Sequence, residues 1–125
     1  MLSPEIIAAA QALGESLRQH PLVQAYHLAL SRFEADPEAV DLEQRLYALF
    51  TDLVRRQEGG EVLSRAEIQF YNNLKQQVFQ HPSIQAREEA LNALKPYLAT
   101  IADELTLRLG IDYSAAVLAV ENHSA

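Results

Sequence analysis

The sequence predicts an all-α protein of about five helices, arranged as an antiparallel bundle around a long central helical hairpin. Glycine and proline are scarce, at four and five in 125 residues, while the good helix formers Ala, Leu, Gln and Glu are abundant. Apolar residues recur at spacings of three and four, which gathers them on one face of a helix. The prolines and the glycine pair mostly fall between these stripes, where helices must stop.

Ser3-Pro4-Glu5 opens the first helix. Serine is a candidate N-cap, proline suits the first helical position, and glutamate suits the positive end of the helix dipole. Ile6, Ala10, Leu13 and Leu17 then share a face. The heptapeptide QHPLVQA, from Gln19, interrupts them. Proline has no amide hydrogen and disfavours helical geometry in the residue before it. His20 should therefore end helix one, and Pro21 should begin helix two, with its stripe of Leu22, Tyr26, Leu30 and Phe33.

Asp36-Pro37-Glu38 repeats the pattern of cap, proline and acid. It opens a third helix that runs to about Gln57 with Leu42, Leu46, Leu49 and Leu53 along one side, widened by Phe50 and Val54. Spacings of four, three and four are those of helix–helix seams. Gly59 and Gly60 can take the left-handed conformations that finish a helix. Ser64 and Glu67 read as a capping box for helix four, which carries Ile68, Tyr71, Leu74 and Val78.

A second heptapeptide, QHPSIQA from Gln80, shares five of seven residues with the first and ends helix four. The sequences that follow the two copies differ in pattern, so they read as helix punctuation and not as a duplication. Ser83 is a candidate cap for the last long helix, whose stripe is Leu91, Leu94, Leu98, Ile101 and Leu105. Pro96 falls inside it, where proline removes one hydrogen bond and kinks a helix. Gly110 closes it. The expected organisation is a helical domain over 1–110 and a C-terminal tail over 111–125. Tyr113, Val117, Leu118 and Val120 make that tail too apolar for ordinary disorder, and a short docking helix is expected over about 112–121.

Composition narrows the function. The chain has no cysteine, which excludes a disulfide framework, a thiolate zinc site and an iron–sulfur cluster held by this chain alone. The first residues lack a basic stretch and Glu5 interrupts them, so no signal peptide is expected. No run approaches the roughly 18 apolar residues of a membrane span. These features together predict a cytoplasmic protein. A formal charge of −7 repels phosphate backbones, so direct nucleic-acid binding is not expected. Arg45, Arg55 and Arg56 are interleaved with Asp52 and Glu58, as on a solvated helix face.

Constellations that carry chemistry are missing. His20 and His81 are too few for a metal site; each is expected to serve a turn or a cap. No H-E-x-x-H or E-x-x-H occurs, nor a nucleophile elbow or a phosphate loop. Glu88-Glu89 and Asp103-Glu104 are helix neighbours that point apart. No cofactor and no catalytic residue is expected. The alternative is a small ligand-binding or enzymatic bundle with a pocket lined by Tyr26, Tyr47, Tyr71 and Tyr97. Aromatics at helical spacing more often form core or interface.

Four stretches resemble the YlbF/YmcA family of small helical bacterial regulators, over about residues 6 to 109. AQALGESLRQHPLVQAY resembles the family's opening helix, break and restart, with Gly14 in the expected place. DPEAVDLEQRLYALFTDLVRRQEGG resembles its long middle helix, with Gln57 shortly before Gly59. LKQQVFQHPSIQAREEA resembles the second break, at Pro82, and ALKPYLATIADEL resembles the closing helix. The resemblance implies a cytoplasmic, non-enzymatic and usually self-associating protein with regulatory protein partners. In Bacillus-type members these act on competence, sporulation, biofilm formation and messenger-RNA processing by RNase Y. Some members carry cysteines associated with an iron–sulfur cluster; this chain has none, and that cofactor does not carry over.

Helix three is apolar over more than one narrow stripe, and a helix in a small bundle needs only one apolar face. Tyr47, Phe50 and Val54 share a side at spacings of three and four. They are the expected protein contact, in a homodimer or a dimer of dimers.

Overall fold

A computed structural model describes residues 1–117. It is all-α, with no strand among the described residues. The long helices are α1 (Pro4–Arg18), α2 (Pro21–Glu34), α3 (Pro37–Glu58), α4 (Arg65–Gln80) and α5 (Pro82–Leu109). Every helix start follows the local chemistry. Ser3 Oγ accepts the Ile6 N–H at 3.2 Å, and Asp36 Oδ1 accepts that of Ala39 at 3.3 Å. Ser64 and Glu67 form the reciprocal capping box, at 3.1 and 2.9 Å.

Both histidines of the QHP segments are caps. His20 Nδ1 accepts the Leu22 N–H at 3.1 Å, and His81 Nδ1 accepts the Ser83 N–H at 3.3 Å. The proline between removes one donor and holds the histidine in extended geometry. The first amide within reach is then two residues on. An accepting Nδ1 is unprotonated, so the neutral ring carries its proton on Nε2. Ser83 is therefore not the cap of α5. Its hydroxyl donates instead to Asp36 Oδ2 at 2.8 Å, tying the start of α5 to the start of α3.

Of the two glycines after α3, only Gly60 is left-handed, with φ of +87°. Gly59 is the C-cap at φ −78°. Gly110 takes φ of +74° and ends α5. The helix passes Pro96 without a break, and Thr100 Oγ1 donates to the Pro96 carbonyl at 3.0 Å.

The chain divides into two compact units, one up to Ala90 and one from Leu91 onward. In the first, α3 and α4 form an antiparallel hairpin: Phe50 lies against Tyr71, and Arg56, nearer the turn, meets Glu67. Phe33, Ala39, Val78 and Ile84 form its buried cluster, with Leu30, Val40, Leu42 and Leu46 packed around them. The core thus sits where the end of α2, the start of α3, the end of α4 and the start of α5 converge. Helix α1 packs along α2 but buries no residue. In the second unit Leu94 is buried. Beyond Gly110, Asp112 Oδ1 accepts the Ala115 N–H at 3.2 Å, and a short helix begins at 113. The remainder of the expected 112–121 helix lies outside the described residues.

Candidate interaction surface

Helix α3 carries two parallel seams. Leu42, Leu46, Leu49 and Leu53 form one, and Leu53 is buried. Glu43, Tyr47, Phe50 and Val54 form the other, each one residue further along. Successive residues in an α-helix are about 100° apart. A single partner helix cannot cover both seams. Leu53 of the first is buried, whereas Tyr47 and Phe50 of the second are exposed.

The open seam lines a continuous groove. Its first part, about 300 Å³, is bounded by Glu43, Leu46, Tyr47, Phe50 and Tyr71. The second, about 140 Å³, continues toward the hairpin tip past Val54, Gln57, Leu63 and Ile68. Phe50 and Tyr71 belong to both parts, and their rings lie 6.1 Å apart at a tilt of 35°. Tyr47 is 72% exposed, Phe50 50% and Ile68 46%; Val54 and Tyr71 are half-buried. Apolar side chains at this exposure, gathered on one face, leave surface that association would remove from water.

Charge pairs bracket the groove. At its inner end the Arg87 guanidinium forms a two-armed pair with Glu43 and lies 4.2 Å over the Phe33 ring. The Glu43 hydrogen bonds, and the favourable charge beside them, push the Arg87 pKa up. At the tip Arg56 meets Glu67 at 2.6 Å and also pairs with Glu61. Its pKa is raised, by the bond to Glu67 first and then by Glu61. The Glu67 carboxyl is held below its ordinary value by the Ser64 N–H, then by Arg56. Asp36 is likewise lowered, by the Ser83 hydroxyl first, then by the Ala39 N–H. His81 Nε2 lies 3.7 Å from Asp36 and 3.8 Å from Glu38, too far for hydrogen bonds.

The structure brings Tyr47, Phe50 and Val54 to one groove, together with Gln57. Gly59 and Pro82 stand at helix ends. Gly14 is on α1, where a Cβ would meet nothing within 4 Å. Tyr47 and Tyr71 share the groove, but the Tyr26 ring lies beside that of its neighbour His27, with centroids 6.5 Å apart at a tilt of 46°. Ile68 and Tyr71, on the apolar stripe that the sequence gives α4, form the far wall of the groove. Their spacing on α4 is the same for core and for wall. Among the described residues no group of three or more His, Cys, Asp or Glu could hold a metal, and no helix is long and apolar enough to cross a membrane. His123 lies outside the described residues. On the other side of the hairpin, Leu49, Phe70 and Leu74 floor a second depression, rimmed by Arg45, Asn73 and Gln77.

A family profile described as control of the competence regulator ComK, YlbF/YmcA, matches residues 6–109. No curated protein and no solved structure matches the chain.

Proposed function

The chain belongs to the YlbF/YmcA family of competence regulators, and from that premise we propose that it is a cytoplasmic, non-enzymatic adaptor. It acts through protein–protein contacts made by the α3–α4 hairpin. It works as a homodimer or a dimer of dimers that engages a regulatory protein partner. The observation that carries this reading is the open seam: Tyr47, Phe50 and Val54 face a groove that their own chain leaves largely uncovered. The groove is shallow and open along its length, which suits a protein surface better than an enclosed small molecule.

The test is the double substitution Phe50→Glu with Val54→Glu. Both positions are at least partly solvated in the single chain, so the variant should keep its helical circular-dichroism spectrum. It should run as a monomer by light scattering and lose the regulatory phenotype of the parent. A parent that is already monomeric at high micromolar concentration rejects self-association. A variant that unfolds assigns both residues to the core.

A further inference from the structure

His81 stands at the break between α4 and α5, and its two ring nitrogens face different helices. Its side chain is only 12% exposed. Nδ1 accepts the Ser83 N–H at 3.3 Å, so that nitrogen carries no proton. Nε2 carries the proton of the neutral ring and lies 3.7 Å from Asp36 Oδ2 and 3.8 Å from Glu38 Oε1. One nitrogen thus serves the first turn of α5, and the other faces two carboxylates at the start of α3.

Each element at this junction bears on the charge of the ring. From α3, Asp36 accepts the Ser83 hydroxyl and the Ala39 N–H, which hold its carboxyl below its ordinary value. Asp36 is therefore an anion throughout the range in which histidines titrate. Glu38 stands beside it, more exposed. The end of α4 presents carbonyls, and that of Val78 accepts the His81 N–H at 3.2 Å; positive charge is favoured at a helix C-terminus. The end of α2 brings Phe33 and the exposed Glu34. From α5 the Arg87 cation lies over Phe33, but Glu43 and Glu88 already engage it.

We propose that His81 is a proton-operated latch: a proton taken up from solvent at Nδ1 releases the first amide of α5 and draws the ring onto Asp36 of α3. A protonated Nδ1 and the Ser83 N–H are both donors and cannot bond each other. The cap is lost, and the positive start of α5 repels the charged ring. On its other side the ring meets a carboxylate whose charge it now complements. Charge-assisted N–H···O bonds close at about 2.7–2.9 Å, so Nε2 has only about 1 Å to travel to Asp36. Glu38, at a similar distance, adds attraction in the same direction. The proton thus trades a bond within the α4–α5 break for one between the break and α3. Neither bond involves the groove residues, so the latch is independent of the self-association proposed above.

The test is a nuclear magnetic resonance titration of the isotope-labelled full chain from about pH 8 to about pH 5, the span in which histidines take up their second proton. At the upper end the His81 ring should show the single tautomer protonated at Nε2. As it becomes doubly protonated, the Ser83 amide proton should move upfield, because its hydrogen bond is lost. The Asp36 carboxyl carbon should shift in the same step. In His81→Asn, which keeps a capping acceptor but does not titrate, the Ser83 step should vanish. A Ser83 amide that stays in place while the ring titrates overturns the release. Ring titration without a response at the Asp36 carboxyl carbon overturns the contact with α3. A ring that stays neutral down to the acid end, or a Ser83 step that survives in His81→Asn, also overturns the proposal. The parent protein alone supplies the tautomer, amide and carboxyl readings, so they stand even where the variant fails to fold.

Discussion

Ile84→Ala should be among the most damaging single substitutions in the first unit. Ile84 is fully buried, in a cluster with Phe33, Ala39 and Val78. Truncation deletes three carbons, which at about 0.8 kcal/mol per buried methylene removes about 2.4 kcal/mol of transfer free energy. The neighbours come from three other helix ends, tied to the start of α5 by the Ser83–Asp36 and Arg87–Glu43 links. They are poorly placed to collapse inward. A residual void of about 60 Å³ at 24 cal/mol per Å³ adds about 1.5 kcal/mol. The higher helix propensity of alanine returns about 0.4 kcal/mol. The net loss is about 3.5 kcal/mol, a large share of the 5–15 kcal/mol typical of a domain. Urea unfolding followed by circular dichroism at fixed protein concentration measures it as a fall in midpoint at unchanged slope. Ile7→Ala is the control: Ile7 is 44% exposed on α1, and its loss should stay below about 1 kcal/mol. An Ile84→Ala loss no larger than that of Ile7→Ala would refute the placement of the core at the meeting of the two breaks.

Three further substitutions address the junction and the glycines. The Asp36 carboxyl is held below its ordinary value, so the stability it contributes is present above the usual carboxylate range and is lost as pH falls through its lowered folded value. Asp36→Asn keeps an acceptor at the cap and should flatten the acid limb of a stability–pH curve; an unchanged acid limb shows that other carboxylates govern it. Gly14→Ala should raise stability by about 0.5–1 kcal/mol, since α1 is helical there and the added methyl meets nothing. Gly60→Ala should lower it by about 1 kcal/mol, because φ of +87° disfavours a side chain. Thermal melts compare the two variants directly, and equal shifts in both would contradict these backbone assignments. A Gly14→Ala protein that is more stable yet fails to bind its partner would place that partner on α1.

What could be read from the chain was local. Ser3, Asp36 and Ser64 announce caps because their side chains accept from amides three residues away. The prolines at 4, 21, 37 and 82 fix starts because each lacks a donor and constrains its predecessor. These effects act within one turn, so spacing along the chain contains them: three of the five helix starts were assigned with their caps, and that of α2 was placed at Pro21 by the proline alone. The fifth was misread at the cap alone: Ser83 looked like the better acceptor, and the extended His81 took the role because its ring reached the free amide first. Gly59 and Gly60 were likewise equivalent as letters, and only the closing of the turn chose Gly60 for the left-handed position.

The interaction surface divides the same way. Periodicity alone showed that α3 has more apolar circumference than one neighbour can cover, and it singled out Tyr47, Phe50 and Val54. It could not say that Ile68 and Tyr71 would stand opposite them, since a seam residue and a groove wall have identical spacing on α4. Nor could it show that Arg87 reaches back to Glu43, or that Ser83 bonds Asp36, because those partners lie far apart in the chain and meet only when α2, α3, α4 and α5 converge. Sequence determined where each helix begins and which faces are apolar, for those follow from forces acting over a few residues. The tertiary structure decided which apolar face is covered and which is left open, for that depends on which helices arrive beside it.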